Sequence, residues 1–270
     1  MNGRPLRGRM IVSAPACGPT NMSVDAALLD RAVADDRPTL RFYRWQPATL
    51  SLGYFQSLTG RETHSASSAV PLVRRASGGG AIVHDRELTY SLVVPTGHRL
   101  PAETANDRQG GSDSRSGTTA GGAPALYHAV HEAMIASLGE LGVAVCRFAA
   151  TGESVVADDP FLCFQRRTGD DLVLNRYKIF GSAQRRGRSA VLQHGSLLLE
   201  ASPAAPELPG IANLIGTLIE PEQVIERFSA KLATMLGVVW EAAELTPSES
   251  ALADEIRQRK FAAAAWTEKR

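Results

Sequence analysis

The sequence predicts an α+β fold built on a mixed, mostly antiparallel sheet with helices around it. Three observations carry this prediction. Strand-like segments cluster in the first two thirds of the chain, helical periodicities lie at intervals between and after them, and no internal repeat divides the 270 residues. Because 44% of the residues are hydrophobic, a chain of this length can bury one large core or two small ones.

The first half of the chain is predicted to combine one helix with several short strands. Apolar residues recur at helical spacing over residues 21–33, where Asn21 is predicted to cap the helix. Runs of aromatic, β-branched and alternating apolar residues predict strands at 40–45, 49–55, 71–75, 81–84 and 88–95. Residues 104–123 carry almost no bulky apolar side chain and are predicted to form a mobile loop.

The second half is predicted to contain three helices and four strands. The predicted strands are 143–148, 171–175, 177–186 and 190–200, and the predicted helices are 124–141, 221–237 and 246–266. Gly142 and Gly237 are expected to end the first two of these helices, since glycine favours the left-handed conformation at a helix C-terminus. Thr246 and Glu249 have the spacing of a capping box at the start of the last helix.

Charge and hydropathy exclude several classes of partner. The 29 basic and 28 acidic residues nearly cancel, which gives no electrostatic case for binding nucleic acid or an acidic membrane. No apolar stretch approaches the roughly 20 residues that a membrane-spanning helix needs. The apolar piece after the basic N-terminal residues is short and contains Pro15, unlike a secretory signal. We therefore expect a cytoplasmic protein.

The cysteines indicate neither a metal site nor a disulfide framework. Cys17, Cys146 and Cys163 are odd in number and widely spaced, and no CxxC pair occurs. At least one cysteine must be free. A free cysteine in a reducing compartment is a candidate nucleophile, although a lone cysteine is more often a small buried apolar residue.

Two segments contain residues that ordinary strands do not need. Residues 74–85, RRASGGGAIVHD, hold three contiguous glycines, which fit neither a GxGxxG nor a Walker pattern. They indicate either a bulge or a backbone that lies close to a ligand. In residues 162–200, Lys178 and His194 interrupt strands that are otherwise apolar. A surface lysine and a bulge would explain these two residues equally well.

Four segments together resemble the biotin/lipoate protein ligase superfamily and its lipoate-protein ligase A branch. They run in the family's order from Asn21 to about Glu200 and read NMSVDAALL, RFYRWQPATLSLGYFQ, RRASGGGAIVHDRELTYSL and KIFGSAQRRGRSAVLQHGSLLLE. The resemblance implies an octanoyl or lipoyl chain held between the loop that contains Gly78, Gly79 and Gly80, here called the glycine loop, and the strand of Lys178. It implies acyl-substrate binding by Arg75, Ser77, Gly78, Gly79, Gly80, His84, Gly181, Ser182, Ala183, Gln184, His194 and Gly195.

Within this family, ligases activate a free acid with ATP, whereas transferases pass an acyl group through a cysteine. Cys163 favours the transferase chemistry. The pair Cys163-Phe164 resembles the nucleophile of the cysteine-dependent octanoyltransferases of the LipM type. The resemblance implies that Cys163 and Lys178 are catalytic, with Lys178 stabilising the oxyanion and His84 or His194 handling protons. Arg166-Arg167 departs from the family pattern, which has a Pro/Ser-rich stretch there. Under this assignment residues 1–20 are an N-terminal segment, 21–245 the acyltransferase domain, and 246–270 a C-terminal helix packed on that domain.

The implied reaction moves octanoyl from acyl carrier protein to a lysine of a lipoyl domain, such as glycine cleavage H protein. The implied partners are therefore octanoyl-acyl carrier protein and a lipoyl-domain acceptor, with no cofactor, because thioester-to-amide transfer is downhill. Two alternatives stay open. One is an ATP-dependent lipoate-protein ligase, which would use ATP and Mg and which the 70 residues after Glu200 favour. The other is an amidotransferase that moves octanoyl between lipoyl domains.

Overall fold

The computed structural model of the chain describes residues 6–35, 37–97, 123–154 and 160–269. Except for Ala123, the loop predicted at 104–123 lies outside these residues. Along the described parts of the chain, the strands are β1 (Leu6–Val12), β2 (Thr39–Tyr43), β3 (Thr49–Leu52), β4 (Leu72–Arg74), β5 (Ile82–His84), β6 (Glu87–Pro95), β7 (Cys146–Arg147), β8 (Leu172–Leu174), β9 (Tyr177–Arg186), β10 (Ala190–Leu198) and β11 (Val238–Ala242). The helices are α1 (Gly18–Asp35), α2 (Ala123–Glu140), α3 (Ile211–Ile215), α4 (Pro221–Leu236), α5 (Pro247–Ile256) and α6 (Ala264–Thr267).

Eight strands form the main sheet, in the order β11-β1-β2-β6-β10-β9-β8-β7. Strand β1 pairs in parallel with β2 and β11, whereas the other neighbours in this sheet pair antiparallel. A second sheet has the order β4-β3-β5 and carries the glycine loop between β4 and β5. The α+β class and the mixed, mostly antiparallel sheet are confirmed.

Helices cover both faces of the main sheet. Helices α2 and α4 pack on one face, where Val130, Met134 and Phe228 join the largest apolar cluster. Helices α1 and α5 pack on the other face around a second cluster that includes Leu28 and Ile256. Within the described residues, no helix is both long enough and apolar enough to cross a bilayer.

The N-terminal segment belongs to the main sheet, where the sequence showed no strand. Arg9 lies in β1 and is only 4% exposed, and its Nη1 donates to Glu249 Oε1 of α5 at 2.6 Å. A buried arginine breaks the apolar alternation by which strands are recognised, and its partner lies 240 residues further on. Strand β1 thus lies within residues 1–20, and the division of the chain at residue 20 stays a prediction.

Three elements differ from their predicted form. Helix α1 begins at Gly18, so Asn21 lies inside it and is not its cap; the Asn21 side-chain amide donates to the carbonyls of Ala16 and Arg44 at 3.0 Å each. The strand predicted at 143–148 shrinks to two residues. The helix predicted at 246–266 is divided by a π-helical turn at Arg257–Phe261, although its capping box is present.

Candidate active site

A pocket lies between the glycine loop, the 3₁₀ turn Cys163–Gln165 and strands β9 and β10. It is lined by eleven of the residues predicted for the site: Arg75, Gly78, Gly79, His84, Cys163, Lys178, Gly181, Ser182, Ala183, His194 and Gly195. Phe164, the partner of Cys163 in the sequence pair, also lines the pocket. Residues that the sequence did not single out complete the lining: Met22, Tyr43, Trp45, Ile82, Thr89 and Ser196. The tertiary structure thus brings the glycine loop, the cysteine and the lysine strand to one place. Their roles remain predictions.

Three predicted residues lie beside the pocket and do not line it. The Ser77 Oγ lies 2.6 Å from the Nε2 of His194, which is part of the pocket wall. Gly80 lies behind Cys163, where an added Cβ would be 3.0 Å from the Cys163 Cα. Gln184 faces a different cavity near Tyr127 and Arg186, and its side-chain amide donates to Gln193 Oε1 at 2.7 Å.

Cys163 and Lys178 are neighbours in the pocket. The Lys178 Nζ donates to the Cys163 Sγ at 3.8 Å and lies 3.5 Å from the Cys163 carbonyl oxygen. The backbone N–H of Cys163 donates to the Ala81 carbonyl at 2.7 Å, which ties the cysteine turn to the end of the glycine loop. The Cys163 sulfur and the Lys178 ammonium group are thus in contact within one pocket.

Asp171, which the sequence analysis missed, holds Lys178 in place. Its Oδ1 lies 2.8 Å from the Lys178 Nζ, and both side chains are buried. Its Oδ2 accepts from the Thr168 backbone N–H at 2.7 Å. The sequence feature that could have revealed Asp171 is the acidic pair Asp170-Asp171 directly before an apolar strand. One carboxylate of such a pair can point inward.

The glycine loop follows a backbone path that side chains would block. Gly79 has φ +93°, a conformation that L-residues rarely adopt. Gly53, which follows β3, approaches so closely that a Cβ on it would lie 1.8 Å from the Gly79 carbonyl oxygen. The buried Arg75 braces the loop, since its Nη2 donates to the carbonyls of Gly78 and Gly80 at 3.1 and 2.8 Å. Burial lowers the pKa of Arg75 to about 10, and the nearby Cys163 opposes this.

His84 is engaged at both ring nitrogens. Its Nδ1 lies 2.7 Å from Glu87 Oε1, and its Nε2 lies 2.7 Å from the Ser51 Oγ. The ring stacks on Trp45 with 3.8 Å between centroids. Burial lowers the pKa of His84 more than the Glu87 charge raises it. At neutral pH this histidine is therefore a neutral, fixed part of the wall.

His194 is oriented by a serine and a carboxylate. Its Nε2 lies 2.6 Å from the Ser77 Oγ, and its Nδ1 lies 3.7 Å from Asp25 Oδ2. Burial raises the pKa of Asp25, but the hydrogen bond from His194 and the charge of Arg41 outweigh it, so the pKa falls below its usual value. The Asp25 carboxylate and the Ser77 hydroxyl thus lie on the two ring nitrogens of His194 and fix the orientation of the imidazole.

Two further glycines make room for the lysine strand. A Cβ on Gly181 would lie 2.6 Å from the Lys178 Cε, and a Cβ on Gly195 would lie 2.5 Å from the Gly181 carbonyl oxygen. Next to them, Ser182 Oγ contacts the Tyr90 hydroxyl at 2.8 Å and the His131 Nε2 at 2.9 Å. Steric need thus explains the glycines in the predicted GSAQ and HGS segments.

The arginines that depart from the family pattern support the cysteine turn. The Arg166 Nε donates to the Pro160 carbonyl at 2.8 Å, and the Arg167 Nη1 donates to the Phe164 carbonyl at 2.7 Å. Both bonds hold the chain on either side of Cys163. Cys17 and Cys146, which matched no family position, are exposed and lie outside the pocket lining.

Together these residues form a site suited to acyl chemistry. A thiol and an ammonium group meet at one wall of a pocket whose other walls include Met22, Trp45 and Ile82. An aliphatic chain gains roughly 0.8 kcal/mol for each methylene it buries in such surroundings. The ammonium group offers a donor to an oxyanion that forms at a carbonyl under attack by sulfur.

Comparisons with known proteins agree with this geometry. The family described as lipoyl protein ligase A/B catalytic domain matches residues 18–110 and 116–232. The octanoyltransferase LipM of Kyrpidia tusciae is 31% identical over 274 residues, which cover 91% of this chain and 93% of the relative.

Two solved structures share the fold. Protein Ta0514 of Thermoplasma acidophilum, solved with bound lipoic acid, superposes with a TM-score of 0.73 at 21% identity, covering 97% of this chain and 100% of that one. A bipartite lipoate protein ligase from the same organism, described with its E2 lipoyl domain, has a TM-score of 0.69 at 19% identity and covers 97% and 96%. The chain therefore belongs to the lipoyl protein ligase A/B catalytic-domain family and is an enzyme, an acyltransferase.

Proposed function

We propose that the protein is a cysteine-dependent octanoyltransferase that moves an octanoyl group from acyl carrier protein to a lysine of a lipoyl domain. The observation that carries the proposal is the 3.8 Å contact between the Cys163 Sγ and the Lys178 Nζ in the pocket. The similarity to the octanoyltransferase LipM of Kyrpidia tusciae supports octanoyl as the acyl group.

The first half-reaction loads the cysteine. The Cys163 thiolate attacks the carbonyl carbon of the donor thioester, and the ammonium of Lys178 donates to the oxyanion that forms. The bond between this carbon and the carrier sulfur then breaks. The carrier leaves as a thiolate and takes up a proton, while the octanoyl group stays on Cys163 as a thioester.

The second half-reaction transfers the octanoyl group from Cys163 to the acceptor lysine. A neutral lysine amine of the acceptor attacks the thioester carbonyl, an amide bond forms, and Cys163 leaves as a thiolate. The amine nitrogen loses one proton to solvent in this step, which balances the proton that the carrier thiolate takes up in the first half-reaction. The first half-reaction exchanges one thioester for another, and the second replaces a thioester by the more stable amide, so the proposed transfer proceeds without ATP.

Intact mass spectrometry tests the proposal directly. Octanoyl-acyl carrier protein, mixed with the enzyme in the absence of ATP, should add one octanoyl group that hydroxylamine removes. The Cys163→Ala variant should gain no mass. Labelling that requires octanoic acid and ATP would instead identify a ligase.

The donor can be identified in a parallel arm of the same experiment. An octanoylated lipoyl domain should load the wild-type enzyme far more slowly than octanoyl-acyl carrier protein does. Faster loading from the lipoyl domain would identify the amidotransferase alternative. A lipoyl domain also serves as the acceptor, and its octanoylation by the loaded enzyme completes the test.

A further inference from the structure

Met22 and His194 each line two cavities. One is the acyl pocket that contains Cys163. The other, here called the second cavity, has a volume of about 310 Å³ and lies between α1, the glycine loop and the C-terminal residues Ile256 to Phe261. Side chains that face two cavities form the wall between them. Met22 and His194 are therefore the partition between the acyl pocket and the second cavity.

The two halves of this partition are held differently. His194 is fixed by the 2.6 Å contact with Ser77 and by Asp25. Met22 lies on α1, is 4% exposed and packs within the apolar cluster on that face of the sheet. An unbranched thioether fills irregular gaps and can be replaced without breaking a hydrogen bond. A substitution at Met22 therefore changes the size of the partition and leaves the contacts of His194 with Ser77 and Asp25 intact.

The second cavity has an apolar side that would accept more of an aliphatic chain. Its apolar lining consists of Met22, Ala26, Leu29, Ala76, Leu192, Ile256 and Phe261. The remaining lining residues are Asp25, Asp30, Ser77, Arg185, His194, Arg259 and Lys260. A chain that passed the partition would gain roughly fourfold in binding for each methylene it buried on the apolar side.

We propose that Met22 sets the upper limit on the length of the acyl chain by closing the acyl pocket toward the second cavity. This inference rests on the proposed octanoyl transfer and deepens it by naming the residue that selects the chain length. With Met22 in place, a chain longer than the pocket has no room to extend. With a smaller side chain at this position, the pocket and the second cavity become continuous.

A competition experiment tests the proposal. The enzyme is mixed with equal amounts of hexanoyl-, octanoyl-, decanoyl- and dodecanoyl-acyl carrier protein, and the masses of the acyl-enzymes are compared. Met22→Ala should raise the ratio of decanoyl- to octanoyl-enzyme at least tenfold, in line with two further buried methylenes. Met22→Phe should shift the preference toward hexanoyl, because a larger rigid side chain shortens the pocket.

Leu29→Ala is the matched control. Leu29 lies seven residues further along α1, belongs to the same apolar cluster and lines the second cavity but not the acyl pocket. Its truncation should leave the wild-type chain-length profile in place. An unchanged profile in Met22→Ala, or an equal shift in Met22→Ala and Leu29→Ala, would overturn the proposal.

Two readouts keep folding and function apart. Thermal melting reports whether each variant is folded, and Met22→Phe decides the question if Met22→Ala does not fold. The wild-type sample alone decides whether octanoyl is transferred at all: a wild-type enzyme that no carrier loads refutes the proposed function. A wild-type enzyme that accepts octanoyl, beside variants with its profile, refutes only the role of Met22.

Discussion

The Lys178 Nζ lies 2.8 Å from Asp171 Oδ1, in an ion pair whose two side chains are both buried. Asp171 immediately precedes β8, and Lys178 lies in β9, which pairs antiparallel with β8. The strand pairing thus fixes the position of the ammonium group 3.8 Å from the Cys163 Sγ. A buried charge with a buried partner stays in place during the reaction, and this preorganisation is what stabilisation of an oxyanion requires.

Replacement of Cys163 should abolish transfer and leave the fold intact. We expect Cys163→Ala to reduce octanoyl transfer to a lipoyl domain by more than about 1000-fold, because the nucleophile is lost. The thiol is partly exposed, so the free energy of unfolding should change by less than about 1 kcal/mol. Cys146→Ala, at an exposed cysteine outside the pocket, is the control and should stay active. Full activity of Cys163→Ala would refute covalent catalysis at this residue.

Removal of Lys178 should slow the loading of the enzyme. We expect Lys178→Ala to lower the rate of acyl-enzyme formation by about 100- to 1000-fold, the usual effect of deleting one oxyanion donor. Lys178→Arg should not restore the rate, since a planar guanidinium places its donors differently. Stopped-flow mixing with octanoyl-acyl carrier protein measures this step, and Lys231→Ala on α4 is the control. Wild-type loading of Lys178→Ala would show that the lysine takes no part in the step.

The Lys178–Asp171 pair should show strong coupling in stability. Lys178→Met leaves the Asp171 carboxylate buried without its cation, which should cost about 3–5 kcal/mol of unfolding free energy. The double variant Lys178→Met/Asp171→Asn should recover most of this loss, because no isolated charge remains buried. Urea titrations of both single variants and the double variant measure the coupling. Strictly additive losses would contradict it, while activity should stay low in every variant that lacks Lys178.

Gly80 should control the position of Cys163. An alanine Cβ at residue 80 would lie 3.0 Å from the Cys163 Cα and 2.9 Å from the Arg166 Nε, so the cysteine turn must shift. We expect Gly80→Ala to slow acyl-enzyme formation by about 10- to 100-fold, as small displacements of reacting groups do. Gly97→Ala is the matched control, because no atom of the described residues lies within 4 Å of its added Cβ. Equal rates in the two variants would exclude this steric role.

Acid should lower the stability of the protein because the buried His131 binds a proton more readily in the unfolded chain. Burial lowers the pKa of His131 to about 3, while the unfolded chain titrates near 6.5. Between these values the unfolded state binds more protons, so stability is full above pH 6.5 and is lost as the pH falls toward 3. This pKa difference corresponds to a loss on the order of 5 kcal/mol. Thermal melting of His131→Asn should show a shallower decline with pH than wild type, and an equal slope would contradict the assignment.

Local patterns in the sequence predicted most of the architecture. Apolar residues three to four apart located the helix that became α2, and its stripe from Leu126 to Leu138 lies in the core as expected. The strand predicted at 177–186 has the same bounds in the structure. The three contiguous glycines predicted either a bulge or a backbone close to a ligand, and in the structure their loop lies against Gly53 and Cys163. Each of these features is encoded within a few neighbouring residues, which is why it is visible without the fold.

Contacts between distant residues had to come from the tertiary structure. Strand β1 was not predicted, because the buried Arg9 resembles a surface residue until Glu249 is placed beside it. Asp171, Met22 and Trp45 entered the site only when strands and helices packed together. Local sequence patterns and the family resemblance were enough to predict the fold class, the glycine loop and the candidate nucleophile. Only the packing decided which side chains surround them, because burial and charge pairing depend on partners far away along the chain.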